Sequence, residues 1–597
     1  MTFTVAELLE RRISESPDRV YLKYHDGRAG WNGITWSEYG ERIAEFSRAL
    51  LALGAEKGDR IAIIGTSSPD WFVTDMSIMT IGCITVPIYF TSSSEQIAYI
   101  VDHAEVRYFI ILGSEYLPGV QSALKHCHRL EKIIIPDDFD LPDDTGFMKR
   151  EEFLWMQRGI TPEQLDRVRR NVTPEDVAAF IYTSGTTGPP KAVMLVHRNC
   201  CAAAKSAAAS MKFLDALADP VNITCFLTLS HVFERSYSLM TPMETGAVVH
   251  FADLSRALEE IREIKPTIVV GLPRTWEKIY EAIMGERDRM SLKKQRIFDW
   301  ALRTGMQFNR TIYEKRRIPF RLKVRHWMAK RLVIDKILAP LGFENARHFM
   351  TGGAVSSKEI IDFFFSLGVW ICQVYGQTES HGMGSIETRE KRRFGSVGIP
   401  FPGIEISLSG EGEILMRGDV VSPGYYKDPE LTRETFRDGW LYTGDLGYID
   451  EDGYLFITGR RKDIIITSGA KNITPAKIEA SLMSIPLVEH AVVVGDGRKY
   501  LTALLTLNLD EGIAFARKQG RVADTYQSLL AIQELRNEIE RQVNEINATF
   551  SRVEQIKKFA ILSRPLSIEA GDLTSLNKIK RYAVIEKYAA EIDDLYS

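Results

Sequence analysis

The stretch "IYTSGTTGPPK", Ile181 to Lys191, joins an apolar run to a loop that is rich in hydroxyl groups and glycine and ends in a lysine. The run "VAAFIY" predicts a buried strand, and glycine lets the following backbone approach a ligand closely. Hydroxyl groups, exposed backbone amides and an ammonium group together suit a polyphosphate. The predicted phosphate-binding residues are Thr183, Ser184, Gly185, Thr186, Thr187, Gly188 and Lys191.

This loop differs from a P-loop, because it lacks the glycine spacing and the Lys-Ser/Thr ending that hold phosphates and magnesium in that motif. A surface turn made of glycine and proline, with no ligand, is the alternative interpretation. The loop alone leaves both interpretations open, and the rest of the chain has to decide between them.

The composition is that of an ordinary globular protein with several domains, since 597 residues correspond to domains of roughly 150 residues each. Basic and acidic residues nearly cancel, 75 against 79, so the charge gives no reason to expect a nucleic-acid partner. The six cysteines are scattered, without CxxC spacing, which favours a reducing cytoplasm.

Neither the first 20 residues nor the longest uncharged stretch predicts a secreted or membrane-spanning chain. The first 20 residues form an amphipathic, charged pattern that lacks the apolar centre of a signal peptide. The longest uncharged stretch, Met76 to Ser94, is interrupted by glycine and proline and falls short of a span of about 20 apolar residues. We predict no transmembrane segment.

Apolar strand patterns alternate with helical patterns along most of the chain. Examples are "RIAIIG" before "SPDWFVTDMSIMTIG", and "PTIVVGLP" before a helix that starts at Arg274. This alternation predicts an α/β fold with parallel sheets that are covered by helices on both faces. Residues 403–457 differ, because their short strands and tight turns look antiparallel and barrel-like.

The segment 315–336 carries nine basic residues and one acid, Asp335, interleaved with Phe320, Trp327 and Leu332. One interpretation is a solvated helix face. The other is a peripheral contact with a membrane surface, since basic clusters with aromatic residues favour anionic lipid. The sequence leaves both open.

The phosphate-loop candidate "YTSGTTGPPK" resembles that of the adenylate-forming (ANL) superfamily, which includes acyl-CoA synthetases, luciferases and the adenylation domains of peptide synthetases. The further motifs of that superfamily follow in order: "LTLSHVFER", "TGGAVSS", "VYGQTES", "GWLYTGDLGYIDEDGYLFITGRRKDIIITSGAKNITPAKIE" and "LTSLNKIKR". The chain is most similar to long-chain acyl-CoA synthetases of the bubblegum type. This similarity rests on "LSHVFER", the basic insert before "RHFMTGGAVSS", and the terminal "KYAAEIDDLYS".

The resemblance implies two domains. Residues 1–461 would form a large N-terminal adenylation domain of two doubly wound sheets plus a small β-barrel. Residues 462–597 would form a smaller, mobile α+β domain, with Lys462 of "GRRKD" at the hinge. Analogy with the family also favours a homodimer. We expect a cytoplasmic protein, with the basic segment 315–336 as the candidate contact with the inner face of the membrane.

The implied reaction activates a long-chain fatty acid. Its carboxylate attacks the α-phosphate of ATP and expels pyrophosphate, and the resulting acyl-adenylate then reacts with the thiol of CoA to release AMP. Charge on the phosphoryl oxygens has to be neutralised by positioned groups. Mg²⁺ is the expected cofactor, and it needs few protein carboxylates when ATP supplies further oxygens.

The resemblance also implies the residues that bind the nucleotide and metal. Glu379 would bind magnesium and Thr378 the α-phosphate, while Asp445 would accept hydrogen bonds from the ribose. The further predicted cofactor-binding residues are Gly353, Tyr375, Gly376, Gln377, Arg460 and Lys462. Tyr375 would lie near adenine. Three plain alternatives stay open: a surface pair for Thr378 and Glu379, a turn-forming aspartate for Asp445, and an aromatic ring in a core for Tyr375.

The predicted catalytic residues are Lys578, Thr378, Glu379 and His231. Lys578 of "LTSLNKIKR" corresponds to the lysine that bridges the attacking carboxylate and the α-phosphate. A solvated basic face is the alternative, since Lys580 lies two residues away. His231 either shapes the site near the phosphates or is a buried, hydrogen-bonded histidine.

Two other functions compete with a CoA ligase. An adenylate-forming enzyme could load a carrier-protein thiol, but "GRRKDIIITSGAKN" runs without the hinge insertion typical of fatty acyl-AMP ligases. A non-catalytic scaffold that binds ATP or acyl groups is the third. Retention of Lys191, Glu379, Asp445, Arg460 and Lys578 argues against it.

Overall fold

A computed structural model describes residues 3–25, 30–124, 129–139, 146–183, 189–211, 220–252, 256–353, 358–468, 471–574 and 578–597. The first of its two large sheets is parallel over most of its width and antiparallel at one edge. Its eight strands, in spatial order, are Gly424–Tyr425, Lys191–Val196, Val177–Thr183, Ile84–Ile88, Arg60–Ile64, Tyr108–Ile111, Lys132–Ile135 and Phe147–Lys149.

The second large sheet has nine strands, a parallel centre and antiparallel strands at both edges. Its strands, in spatial order, are Ile399–Pro400, Ser385–Ile386, Ile371–Tyr375, His348–Gly352, Ile268–Val270, Asn222–Cys225, Val248–Phe251, Val20–Tyr24 and Asn32–Thr35.

Core side chains lie on both faces of the eight-stranded sheet. Along one strand, Ile61 and Ile63 belong to one hydrophobic cluster, whereas Ala62 and Ile64 belong to another. Successive side chains of a strand point to opposite faces, so both faces are covered. The neighbouring strand Ile84–Ile88 is buried throughout, as expected for a parallel strand between two helical layers. The predicted α/β fold is confirmed.

Helices connect these strands and cover the sheets. Those that precede residue 462 are Val5–Glu15, Trp36–Ala52, Pro69–Thr80, Ser94–His103, Leu117–Leu124, Arg150–Trp155, Pro162–Arg170, His197–Ser210, Val232–Glu234, Thr241–Thr245, Ala257–Ile264, Pro273–Asp288, Leu292–Tyr313, Phe320–Ala329, Asp335–Leu338, Lys358–Ser366 and Pro429–Thr435. The uncharged stretch 76–94 is therefore part of a helix, then a strand. Among the described residues, no helix is long and apolar enough to cross a membrane.

The region predicted to be barrel-like is an antiparallel sheet. Its five strands are Glu405–Leu408, Glu413–Arg417, Phe436–Arg437, Trp440–Ile449 and Leu455–Arg460. The prediction of antiparallel pairing is confirmed, but the described strands do not close into a barrel. The long strand Trp440–Ile449 pairs with three neighbours, since Phe436–Arg437 and Leu455–Arg460 pair with different parts of it. The sheet therefore branches instead of closing.

The last part of the chain is a smaller α+β unit with a core of its own, which includes Leu482, Leu505 and Ile539. Its strands are Ile465–Ile466, Asn472–Ile473, Val488–Val494, Leu501–Leu507 and Ile556–Ile561. Its helices are Pro475–Met483, Leu509–Lys518, Tyr526–Leu530, Gln533–Asn547, Arg581–Lys587 and Ala589–Tyr596. The fold of this part agrees with the prediction.

Candidate active site

The two ends of the phosphate-loop candidate are held in a strand hairpin. Strands Val177–Thr183 and Lys191–Val196 pair antiparallel, with Thr183 opposite Lys191. The intervening residues 184–188 lie outside the described residues, so the roles of Ser184, Gly185, Thr186, Thr187 and Gly188 stay predictions. The hairpin register fixes where the loop leaves and re-enters the sheet.

Lys191 and Glu379 meet at one aromatic residue, Tyr425. The Lys191 ammonium lies 5.8 Å from the centre of the Tyr425 ring. The Tyr425 hydroxyl donates a 2.7 Å hydrogen bond to Glu379 Oε1. Burial, and secondly the Glu379 charge, raise the pKa of Tyr425, so the phenol remains a donor at neutral pH. The sequence analysis missed Tyr425, although the adjacent tyrosines in "SPGYYKD" were visible.

Thr378 and Glu379 form a 3-10 turn, Thr378–Ser380, that follows the central strand Ile371–Tyr375. The preceding Gly376 leaves no space for a side chain, because an added Cβ would lie 2.2 Å from the carbonyl oxygen of Gly382. That glycine is therefore required for the chain to turn here. Both predicted residues lie at the carboxyl end of a parallel strand, where ligands bind in open α/β sheets.

Asp445 is the centre of a hydrogen-bonded group. Its Oδ2 accepts bonds from the Tyr375 hydroxyl at 2.8 Å and from Gln377 Nε2 at 2.7 Å. Its Oδ1 accepts a 2.9 Å bond from Arg460 Nε. The aspartate is only 4% exposed, and its charge is the main cause that raises the pKa of Arg460. Four predicted residues are thus brought into direct contact.

The ring of Tyr375 is buried in a cluster with Met416 and Leu441, among others. The structure thus gives this residue the core position that the sequence analysis left as the alternative, while its hydroxyl holds Asp445. Contact with adenine stays a prediction.

Lys578 reaches the same cleft from the C-terminal unit. Its Nζ donates a 3.1 Å hydrogen bond to the carbonyl oxygen of Gly353, which follows the strand His348–Gly352 and has a φ of +83° that suits glycine. Although Lys578 retains solvent-exposed surface, its ammonium group lies among protein atoms. Desolvation, and secondly Arg460, lower the pKa of Lys578, whereas Asp445 opposes this. Without a bound anion, the cleft therefore disfavours the protonated form of Lys578.

His231 lies near Lys578 and is neutral at physiological pH. Burial, and secondly the charge of Lys578, lower the pKa of His231 to about 4. Its Nδ1 accepts a 3.2 Å hydrogen bond from the backbone N–H of Phe233 at the start of a helix. Because Nδ1 is the acceptor, the ring proton lies on Nε2. His231 can therefore offer an N–H donor without adding a charge.

Lys462 lies in a short exposed turn, Arg461–Asp463, that leads from the antiparallel sheet into the C-terminal unit. The carbonyl of Lys462 accepts a 2.7 Å hydrogen bond from the Tyr582 hydroxyl. That bond lies within residues 462–597, whereas Arg274 Nη2 and Glu489 Oε2, 3.0 Å apart, join the two parts of the chain. The junction therefore carries a few polar contacts, which suits a hinge.

A buried ion pair lies behind the "SHVFER" motif. Arg235 pairs with Asp75 through its two terminal guanidinium nitrogens, Nη1 and Nη2, and neither side chain is more than 1% exposed. Arg235 also begins a π-helical turn, Arg235–Met240, a distortion that is frequent at functional sites. The sequence analysis did not identify this pair, because nothing in the local pattern links positions 75 and 235.

Two family models match the chain. The model described as "AMP-binding enzyme" matches residues 9–426, and the model described as "AMP-binding enzyme C-terminal domain" matches residues 462–597. The chain belongs to the family of AMP-binding enzymes.

A more particular similarity is to fatty acyl-CoA ligases. The long-chain-fatty-acid--CoA ligase FadD15 of Mycobacterium tuberculosis is 32% identical over 99% of this chain and 97% of its own length. The long-chain-fatty-acid--CoA ligase ACSBG2 of Rattus norvegicus is 31% identical over 100% of this chain and 93% of its own length. The predicted resemblance to long-chain acyl-CoA synthetases, the bubblegum type included, is confirmed.

Solved structures share the fold. The adenylation domain of a carboxylate reductase from Mycobacterium chelonae superposes with a TM-score of 0.73 at 21% identity, and the match covers 100% of this chain and 91% of that one. At this identity the comparison shows the fold alone.

Proposed function

We propose that this protein is a long-chain fatty acid:CoA ligase that forms an acyl-adenylate from ATP and then an acyl-CoA. The observation that carries the proposal is the position of Lys578, whose ammonium group reaches Gly353 across the cleft that holds Asp445 and Arg460. The similarity to FadD15 and ACSBG2 over the whole chain supports fatty acid and CoA as substrates.

In the first half-reaction, a carboxylate oxygen of the fatty acid bonds to the α-phosphorus of ATP, and pyrophosphate leaves with its bridging oxygen. Both reactants are anions, so a positive charge between them lowers the barrier. Lys578 supplies this charge, while Lys191 neutralises the departing phosphates. His231 offers its Nε2 proton to an anionic oxygen, which is consistent with its neutral state.

In the second half-reaction, the sulfur of CoA bonds to the acyl carbonyl carbon, the thiol proton is lost to solvent, and AMP leaves. We propose that residues 462–597 rotate about Lys462 between the two steps, so that Lys578 withdraws and residues 467–472 approach the site. Polar contacts that join residues 462–597 to the rest of the chain, such as Arg274 with Glu489, would be exchanged in this motion.

Glu379 fits a magnesium ion that is held mainly by nucleotide oxygens. Its Oε1 is fixed by Tyr425, and within the described residues Oε2 accepts no hydrogen bond. No group of three or more His, Cys, Asp or Glu side chains suited to a metal occurs in the described part of the chain. A single carboxylate is enough for Mg²⁺, which keeps several waters and phosphate oxygens as ligands. When bound, the ion would neutralise phosphate charge.

A small, mostly apolar cavity adjoins the cleft, and we propose that the fatty acyl tail enters there. Its volume is only about 20 Å³, and Phe233, Tyr237, Met350 and Val374 are among its lining residues. Val374 precedes Tyr375, and Met350 lies three residues before Gly353, so the pocket adjoins the proposed reaction centre. A long tail would have to displace some of these side chains.

The predicted homodimer and the cytoplasmic location stay predictions.

The decisive test is pyrophosphate release with a series of fatty acids, with and without CoA. The proposal requires release with long-chain acids and acyl-CoA formation only when CoA is present. Pyrophosphate without a CoA thioester would favour transfer to a carrier-protein thiol instead. Absence of turnover with every acid would favour a non-catalytic scaffold.

We expect Tyr425→Phe to weaken the use of magnesium, because Glu379 loses the hydroxyl that orients it. A hydrogen bond to a charged group contributes about 1.5–3 kcal/mol, so the Mg²⁺ concentration for half-maximal rate should rise about tenfold. The matched control is Tyr426→Phe, whose hydroxyl lies 3.4 Å from Glu105 instead. Equal Mg²⁺ dependence in the two variants would contradict this role for Tyr425.

We expect Asp445→Asn to raise the KM for ATP about tenfold to a hundredfold, because the ribose loses a charged acceptor. The sharper measurement compares ATP with its 2′-deoxy and 3′-deoxy analogues. The wild type should discriminate against an analogue, and the variant should not. Asp450→Asn is the control, since Asp450 pairs with Arg393 outside the cleft. Undiminished discrimination in Asp445→Asn would exclude ribose contact.

A further inference from the structure

The helix Phe320–Ala329 exposes a row of large apolar side chains to solvent. Phe320 is 79% exposed and Trp327 is 61% exposed, with Val324 at 41% and Met328 at 37%. Their spacing of three or four residues places them on one face of the helix. Such a row is costly in water, and contiguous exposed apolar surface commonly marks an interaction site.

The opposite face of this helix already supplies the contacts that the fold requires. Leu322 and Ala329 are buried, as are Val333 and Ile334 in the π-helical turn that follows. The ring of His326 stacks on Phe308 of the preceding helix at 3.7 Å. The helix is therefore attached through one face, and its second apolar row has no packing role within the described chain.

Basic residues flank this row. With 3.6 residues per turn, Arg321 and Arg325 lie on one side of it, and Lys323 and Lys330 on the other. Of the nine basic residues in 315–336, Arg316 lies 3.2 Å from Glu314 and Lys330 lies 3.9 Å from Asp335. The other seven have no carboxylate partner among the residues that the structure describes: Lys315, Arg317, Arg321, Lys323, Arg325, Arg331 and Lys336.

We propose that this face of the helix docks in the plane of an anionic lipid bilayer. The row Phe320, Val324, Trp327 and Met328 would enter the headgroup region, while the flanking lysines and arginines contact lipid phosphates. Trp327 suits the membrane–water interface, because its ring is amphipathic. The proposal does not depend on the catalytic activity and goes beyond it.

A second copy of this chain is a poor occupant of the same face. In a two-fold symmetric dimer the same surface patch lies on both partners. Such a contact would bring two clusters of nine basic residues against each other, and like charges at an interface are unfavourable. A bilayer with anionic headgroups matches both the apolar row and the charge around it.

The test is co-sedimentation of the full chain with vesicles. One set contains phosphatidylcholine alone, and the other contains about one-third phosphatidylglycerol. We expect binding to the anionic vesicles that weakens as salt is raised. Trp327→Ser should reduce the partition coefficient about tenfold, because an interfacial aromatic residue is lost. Each of Lys323→Gln and Arg325→Gln should reduce it roughly fivefold.

Trp155→Ser is the matched control. Trp155 is 64% exposed and has the guanidinium of Arg158 at 5.6 Å from its ring, much as Trp327 has Arg331 at 5.8 Å. We expect this control to bind vesicles like the wild type. Three results would overturn the proposal: no vesicle binding, equal binding to neutral and anionic vesicles, or an equal loss in both tryptophan variants. Vesicle binding without fatty acid turnover would support membrane docking and would contradict only the proposed ligase activity.

Discussion

We expect Lys578→Ala to lower the rate of acyl-adenylate formation by about 10³-fold or more, since one positioned positive charge on a transferring phosphoryl group contributes on this scale. Lys578 is the residue that reaches into the cleft from the C-terminal unit, through its 3.1 Å bond to Gly353. Its pKa is lowered by desolvation and by Arg460, so the ammonium group is poorly stabilised until an anion pairs with it. An anionic transition state provides this partner and is stabilised in turn. The alanine variant lacks this stabilisation.

The two half-reactions should respond differently to this substitution. Adenylation is measured as fatty-acid-dependent pyrophosphate release, and thioester formation is measured from supplied acyl-adenylate and CoA. We expect the first to be lost and the second to be retained, because in our proposal Lys578 withdraws from the site before the thioester forms. Lys580→Ala is the control, since Lys580 begins the following helix and should leave both steps within a few-fold of the wild type. Equal losses in Lys578→Ala and Lys580→Ala would refute our assignment.

The second large effect concerns stability. We expect Asp75→Ala to lower the free energy of unfolding by about 3–5 kcal/mol, because it leaves the Arg235 charge buried without a partner. Both side chains of this pair are almost completely buried, so water cannot replace the lost carboxylate. Urea titration followed by circular dichroism measures the change.

Two further variants separate the buried charge from the loss of Asp75 itself. Replacing both partners by apolar residues, Asp75→Leu with Arg235→Met, should recover much of the lost stability, because no uncompensated charge remains. Glu286→Ala breaks an exposed pair with Arg289 in the same N-terminal part, where Glu286 is 68% exposed, and should cost less than about 1 kcal/mol. An unfolding free energy in Asp75→Ala equal to that in Glu286→Ala would contradict this view of the pair.

Much of the fold was predictable, because it depends on local pattern. Apolar runs such as "RIAIIG" predicted parallel strands, and the Arg60–Ile64 strand has core side chains on both faces. Among the described strands the predicted barrel does not close, and strand patterns alone do not reveal that Phe436–Arg437 and Leu455–Arg460 both pair with Trp440–Ile449. Pairing partners depend on how the chain returns to the sheet.

The sequence by itself was enough to identify the family and most candidate site residues, because its motifs and their order resemble those of the family and each motif is local in the chain. Only the tertiary structure decided which of these residues meet. Tyr425 contacts Glu379 across 46 positions, and Lys578 reaches Gly353 across 225. It also decided that Trp327 faces solvent whereas Leu322 of the same helix is buried. Such contacts arise from the packing of distant segments, which no local pattern encodes.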